Sequence, residues 1–130
     1  MPTFTSFEQL PCWQKCREVK LWTIELLPIF PSHEMFELAM SIKKCARSAT
    51  QNLAEGFGKH SMADKINFCR MSRGSLFELQ DDLLTASDEG YLSAELYAEG
   101  LKLIEAAVHS INGYIRYLDS RKRGDWNTSN

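Results

Sequence analysis

The sequence predicts an all-α chain folded as an antiparallel up-and-down four-helix bundle. Three observations carry that prediction. Apolar residues recur at spacings of three and four in four separate segments. Proline, glycine and serine punctuate the chain between those segments. No segment alternates apolar and polar residues with a period of two, so no strand is expected.

The first helix is expected over about 10–27. Cys12, Cys16, Val19, Thr23 and Leu26 form its stripe, with Trp13, Trp22 and Leu27 beside it. Pro11 is tolerated only in a first turn, and Pro28 and Pro31 stop the helix and force an extended link. The second is expected over 33–56, with Ser32 as N-cap and Glu34 in the first turn. Its stripe is Met35, Leu38, Ala39, Ile42, Cys45, Ala46, Ala49 and Leu53, and Gly56 and Gly58 end it.

The third is expected over 62–88, capped by Ser61 with Asp64 three residues on. Its stripe includes Ile66, Cys69, Leu76, Leu79, Leu83 and Ala86. Gly74 inside it reads as a close helix crossing, and Gly90 follows its end. The fourth is expected over 94–119 after Ser93, with Leu96, Leu103, Ala107, Ile111, Tyr114 and Leu118 inward and a polar, frayed tail at 120–130. Short links between long amphipathic helices favour antiparallel neighbours.

A chain of 130 residues is the usual size of one domain, here 1–130. Its 44% hydrophobic content supplies a core without metal or disulfide support. The four cysteines form no C-x-x-C pair and read as small buried apolar residues. No apolar run reaches the roughly 20 residues of a membrane span. Met1-Pro2-Thr3-Phe4-Thr5-Ser6 has neither a basic nor an apolar leader region, so a cytoplasmic location is expected.

The net charge of −2 hides a polarity. In an up-and-down bundle, residues 21–42 and 76–102 share one end. That end carries Glu25, Glu34, Glu37, Glu78, Asp81, Asp82, Asp88, Glu89, Glu95 and Glu99 against Lys102 alone, a net −9, which leaves +7 at the other end. The bland reading is a solvated surface. The functional reading is a basic end that attracts a nucleic-acid backbone through Lys43, Lys44, Arg47, Lys59, Arg70, Arg121, Lys122 and Arg123. No exposed aromatic platform for bases is legible in the sequence.

Two stretches are unusual for plain core helices, Asn52-Leu53-Ala54-Glu55-Gly56-Phe57-Gly58-Lys59 and Arg73-Gly74-Ser75-Leu76-Phe77-Glu78-Leu79. With Trp13-Gln14-Lys15 and Gly90-Tyr91-Leu92, they resemble the four-helix-bundle proteins encoded by intervening sequences of bacterial 23S ribosomal RNA genes. The resemblance covers roughly 7–118. It implies a bundle that assembles into a ring, a homopentamer. It also implies a distant kinship with the accessory variability protein of diversity-generating retroelements, which works with a reverse transcriptase and nucleic acid. The family motif falls on Asn52, Glu55, Gly56, Gly58, Arg73, Gly74, Ser75 and Glu78. The chain departs from the pattern at Thr50, where proline is common, at Arg47, usually apolar, and at Lys59, usually arginine. Read from the residues alone, Glu55 is expected to be a buried carboxylate bonded by Arg73 on the adjacent helix.

Enzyme signatures are missing. There is no phosphate-binding glycine loop, no H-E-x-x-H, and no E-x-x-H pair of the kind a di-iron bundle uses. Glu105 and His109 form a lone i, i+4 pair, and His33 and His60 fall in connections. The expectation is therefore a non-enzymatic assembly protein with no cofactor, metal, membrane or small-molecule substrate. Its partners are further copies of itself and RNA or DNA. The alternative is a protein-interaction module without nucleic-acid binding.

Overall fold

A computed structural model describes residues 3–129, with side chains described through Gly124. Four α-helices run α1 Pro11–Leu26, α2 Leu38–Phe57, α3 Met62–Asp88 and α4 Ala94–Ser129. Among the described residues there is no strand; a short 3-10 turn at Phe7–Gln9 precedes α1, and two more, Leu27–Ile29 and Ser32–Glu34, lie in the α1–α2 link.

The ends follow local chemistry in most places. Pro11 opens α1. Ser61 Oγ accepts from the Asp64 N–H at 3.0 Å and caps α3. α3 closes in a Schellman motif: the Tyr91 N–H reaches Ala86 O at 2.9 Å and the Gly90 N–H reaches Ser87 O at 3.1 Å. Gly90 takes φ +84°, a left-handed conformation that costs a glycine nothing. At about 1.5 Å per residue, α3 is roughly 40 Å long.

Two boundaries differ from the expected ones. α2 begins at Leu38, and Ser32 caps nothing in it: 32–34 form a separate 3-10 turn. Burial of Phe30 at the bundle's end is the reason. Phe30 packs edge-on against Tyr91, ring centroids 5.8 Å apart, and the chain must turn back from that anchor before α2 can start. Tertiary packing overrides a local cap signal there, and Met35, expected inward, is exposed. At the other end, α4 continues beyond 119. No proline interrupts it, and Arg123 pairs with Asp119 one turn back. Of the expected tail, Asn130 lies outside the described residues, as do 1–2.

Cross-helix contacts give the register. Ser41 meets Asp82, Ser48 meets Ser75, and Lys65 reaches Phe57, so α2 and α3 run antiparallel. Gln80 to Tyr97 and Arg73 to Asn112 set α3 against α4 in the same way. Trp22 Nε1 donates to Glu99 at 3.1 Å and closes the circuit between α1 and α4. The core is one cluster around Leu10, Val19, Ile42, Leu53, Leu76, Leu79, Leu83 and Ile111. Ile104 is also fully buried, while Leu96 and Leu103 are only packed against the cluster, so the inward stripe of α4 is turned slightly from the expected one.

Close approach occurs at two glycines, and Gly74 is neither of them. A Cβ on Gly56 would lie 2.7 Å from Phe68 Cβ, and one on Gly100 would lie 2.5 Å from the Trp22 ring. Gly74 faces outward with nothing within 4 Å of its Cβ position.

The late start of α2 also moves its midpoint, to between Arg47 and Ser48. Cut at the observed midpoints, the acidic half gains Glu105 but also Lys20, Lys43, Lys44 and Arg47. Its net charge becomes −6 rather than −9, and the opposite half becomes +4 rather than +7. The polarity survives, reduced.

Candidate interaction surfaces

Of the motif residues, Asn52, Gly56 and Ser75 lie along the seam between α2 and α3. Asn52 Nδ2 donates to Ser48 O and to Ser48 Oγ, each at 2.9 Å. Ser48 Oγ and Ser75 Oγ are 2.8 Å apart, and Ser75 also donates to Met71 O at 3.2 Å. Deeper in, the buried Ser72 donates to Ala49 O at 2.6 Å. Gly56 permits the close packing on Phe68, and Gly58 is the C-cap of α2. Ser41, Ser48 and Ser72 belong to this network and were missed in the sequence. Their signal was hydroxyls spaced by seven on α2 and by three on α3 beside the apolar stripes.

Glu55 is not a buried carboxylate. It is exposed and pairs at 4.0 Å with Lys59, four residues on and just past the end of α2. Arg73 turns to α4 instead, where its Nη1 donates to Asn112 Oδ1 at 2.7 Å. An exposed carboxylate keeps its hydration and needs no partner across the seam, so the expected Glu55–Arg73 bond is replaced by two separate contacts. Thr50, in the place of the family's proline, is buried and donates to Arg47 O, and α2 runs through it without a break.

Two grooves flank α2 at the same height. One, of about 390 Å³, lies between the first half of α2 and the α1–α2 link. It is lined by Leu27, Met35, Phe36, Ala39 and Met40 and edged by Lys43, Lys44 and Arg47. Phe36 is 83% exposed there. The other groove, of about 370 Å³, lies against α3, with Ser41, Cys45, Gly74 and Phe77 beside Glu78, Asp81 and Asp82. Phe77 and Leu84, one heptad apart on α3, are both exposed.

The eight basic residues proposed from sequence do not form one patch. Lys43, Lys44 and Arg47 edge the first groove, in the acidic half. Lys59 follows the end of α2, Arg70 lies in the first half of α3, and Arg121, Lys122 and Arg123 lie on the C-terminal stretch of α4, all in the opposite half. Lys65, Arg73 and Arg116 belong to that half too.

The sequence profile of the 23S rRNA-intervening sequence protein family matches residues 8–113, which includes both motif stretches. The chain belongs to this family. A comparison with curated proteins finds no match.

In this family member the motif therefore serves the α2–α3 seam and the wall of the acidic groove. All four cysteines are free and buried. Burial pushes the thiols of Cys16 and Cys69 up to about 12. Burial, then the carboxylates of Asp82 and Glu78, pushes Cys45 up to about 11. Thiols held this firmly protonated are poor nucleophiles at neutral pH. Among the described residues no three His, Cys, Asp or Glu side chains are grouped to hold a metal ion, and no helix is long and apolar enough to cross a membrane.

Proposed function

We propose that this family member is a non-enzymatic assembly protein whose copies join head to tail in a closed ring, a homopentamer, and present their basic ends to RNA on one side. One observation carries the reading: two grooves of complementary character sit at one height on one subunit. The first is apolar with a basic edge, and the second is polar and acidic around the exposed Phe77. The Ser41–Asp82 and Ser48–Ser75 contacts set Met40 near the level of Leu84 and Arg47 near that of Phe77.

A heterologous contact joins two different patches and closes into a ring when the rotation closes. With the axis along the bundle, closure needs both patches at the same height. Grooves on adjacent sides of a four-cornered bundle lie roughly a quarter turn apart, which suits a ring of about four to six copies. Met40 and Leu84 then leave water together, and Lys43 and Lys44 face Glu78 and Asp81 of the next copy. Every subunit's basic half points the same way, so a modest charge per chain becomes a broad cationic face.

Mass in solution tests the ring. Wild type is expected as one closed oligomer. Lys43→Glu with Lys44→Glu, or Glu78→Lys with Asp81→Lys, should each release monomers, and combining all four in one chain should restore the ring. A wild type that stays monomeric at tens of micromolar overturns the reading. Titration with RNA at two salt concentrations tests the cationic face, since phosphate contacts weaken steeply with salt. An intact ring that ignores RNA at low salt sinks that half and favours a protein-interaction module.

A further inference from the structure

The basic half holds an aromatic cleft that neither the motif nor the ring contact uses. It lies between the start of α1 and the second half of α4, with a volume of about 390 Å³. Phe4, Pro11, Cys12, Gly113, Tyr114 and Tyr117 give it apolar and aromatic walls. The Tyr114 and Tyr117 rings are stacked, 13° from parallel with centroids 6.1 Å apart. His109 and Arg116, both exposed, stand at its edge. On the far side of the same tyrosines a second cavity of about 200 Å³ holds Lys65 and Arg121. The Arg121 guanidinium lies 5.8 Å from the Tyr117 ring centre and donates to its hydroxyl at 3.2 Å.

We infer that this cleft receives an unpaired base of a single-stranded nucleic acid. The inference rests on the reading of the basic half as a polyanion-binding face, and it names which form of polyanion binds. Paired tyrosines beside arginine and lysine are the elements of a single-strand site: π faces for the base and cations for the adjoining phosphates. Duplex bases are stacked on each other and cannot enter such a cleft. An apolar protein side chain would fill the walls equally well but would leave the cationic edge unmatched. Charge complementarity therefore favours the nucleotide.

Gly113 allows a clean test. Its nearest neighbour to an added Cβ is Arg116 Nη2 at 3.8 Å, so a side chain fits there and projects into the cleft. Leucine is also the better helix former, which protects the fold. Fluorescence anisotropy would compare labelled single-stranded RNA, single-stranded DNA, an abasic strand and duplex RNA, each of about 12 nucleotides. The single strands should bind best. Gly113→Leu should weaken them about ten-fold while leaving duplex and abasic binding unchanged. The RNA and DNA arms show whether the sugar matters. Lys122→Glu with Arg123→Glu should weaken every ligand alike. If Gly113→Leu changes nothing while the charge reversal abolishes binding, the cleft inference falls and the basic face stands. If no ligand binds, both fall. If Gly113→Leu instead alters the oligomer's mass, the cleft is a protein contact and the inference is overturned. A melting curve on each variant confirms that it is folded.

Discussion

Arg73 on α3 donates to Asn112 Oδ1 on α4 at 2.7 Å, and this bond links two helices that otherwise meet mainly through apolar contacts. A hydrogen bond to a charged donor is worth about 1.5–3 kcal/mol net, toward the low end for a half-buried pair. Arg73→Ala and Asn112→Ala should each cost about 1–2 kcal/mol in urea unfolding, with a positive coupling in the double mutant. Glu55→Ala should stay within about 0.5 kcal/mol and show no coupling to Arg73. A strong Glu55–Arg73 coupling would contradict the seam described above.

The three helix-interior glycines of α2, α3 and the first half of α4 should respond in opposite directions to alanine. At Gly56 the added Cβ meets Phe68 Cβ, which moves only with its backbone, so Gly56→Ala should cost about 1–3 kcal/mol. At Gly100 it meets the rim of the Trp22 ring, which can rotate at the expense of its bond to Glu99, so the cost should be smaller. At Gly74 it meets nothing, and alanine should stabilise by about 0.5–1 kcal/mol through better helix propensity. Thermal melts of the three variants check the order.

The polar seam should be costly to break from the inside. Ser72 is fully buried and its hydroxyl donates to Ala49 O at 2.6 Å. Ser72→Ala should cost about 1 kcal/mol, the usual net worth of such a bond. Asn52→Ala, at the half-buried end of the network, should cost less. Chemical denaturation of the pair would expose an error in this ranking.

Alkaline stability follows from the thiols. Their folded pKa values lie above the unfolded value of 9.0, at about 11 for Cys45 and about 12 for Cys16 and Cys69, with burial the first cause in each. A raised acid binds its proton more tightly in the folded state, so the contribution is complete below pH 9 and is lost as pH rises toward 12. Tyr114, raised by burial, acts in the same direction, while Lys65, lowered by burial, opposes it as a single group. The urea midpoint should hold steady from pH 7 to just below pH 9 and then fall. Thiol reagents at pH 8 should label the native protein slowly, with Cys45, the least deeply buried, reacting first.

The four helices were readable along the chain because their causes are local. A 3.6-residue apolar period, a serine at a helix start and a glycine at its end each act within a turn or two, and the stripe of α3 from Ile66 to Ala86 is buried as its spacing demanded. Family membership was legible for the same reason, since its motifs are contiguous. Partnerships were not. Arg73 was expected to meet Glu55, and only the register of α3 on α4 gives it Asn112. Phe30 settling against Tyr91 delayed α2 and shifted its midpoint, which put Arg47 in the acidic half. Those outcomes depend on contacts between residues dozens of positions apart, and such contacts leave no periodic trace in the order of the amino acids.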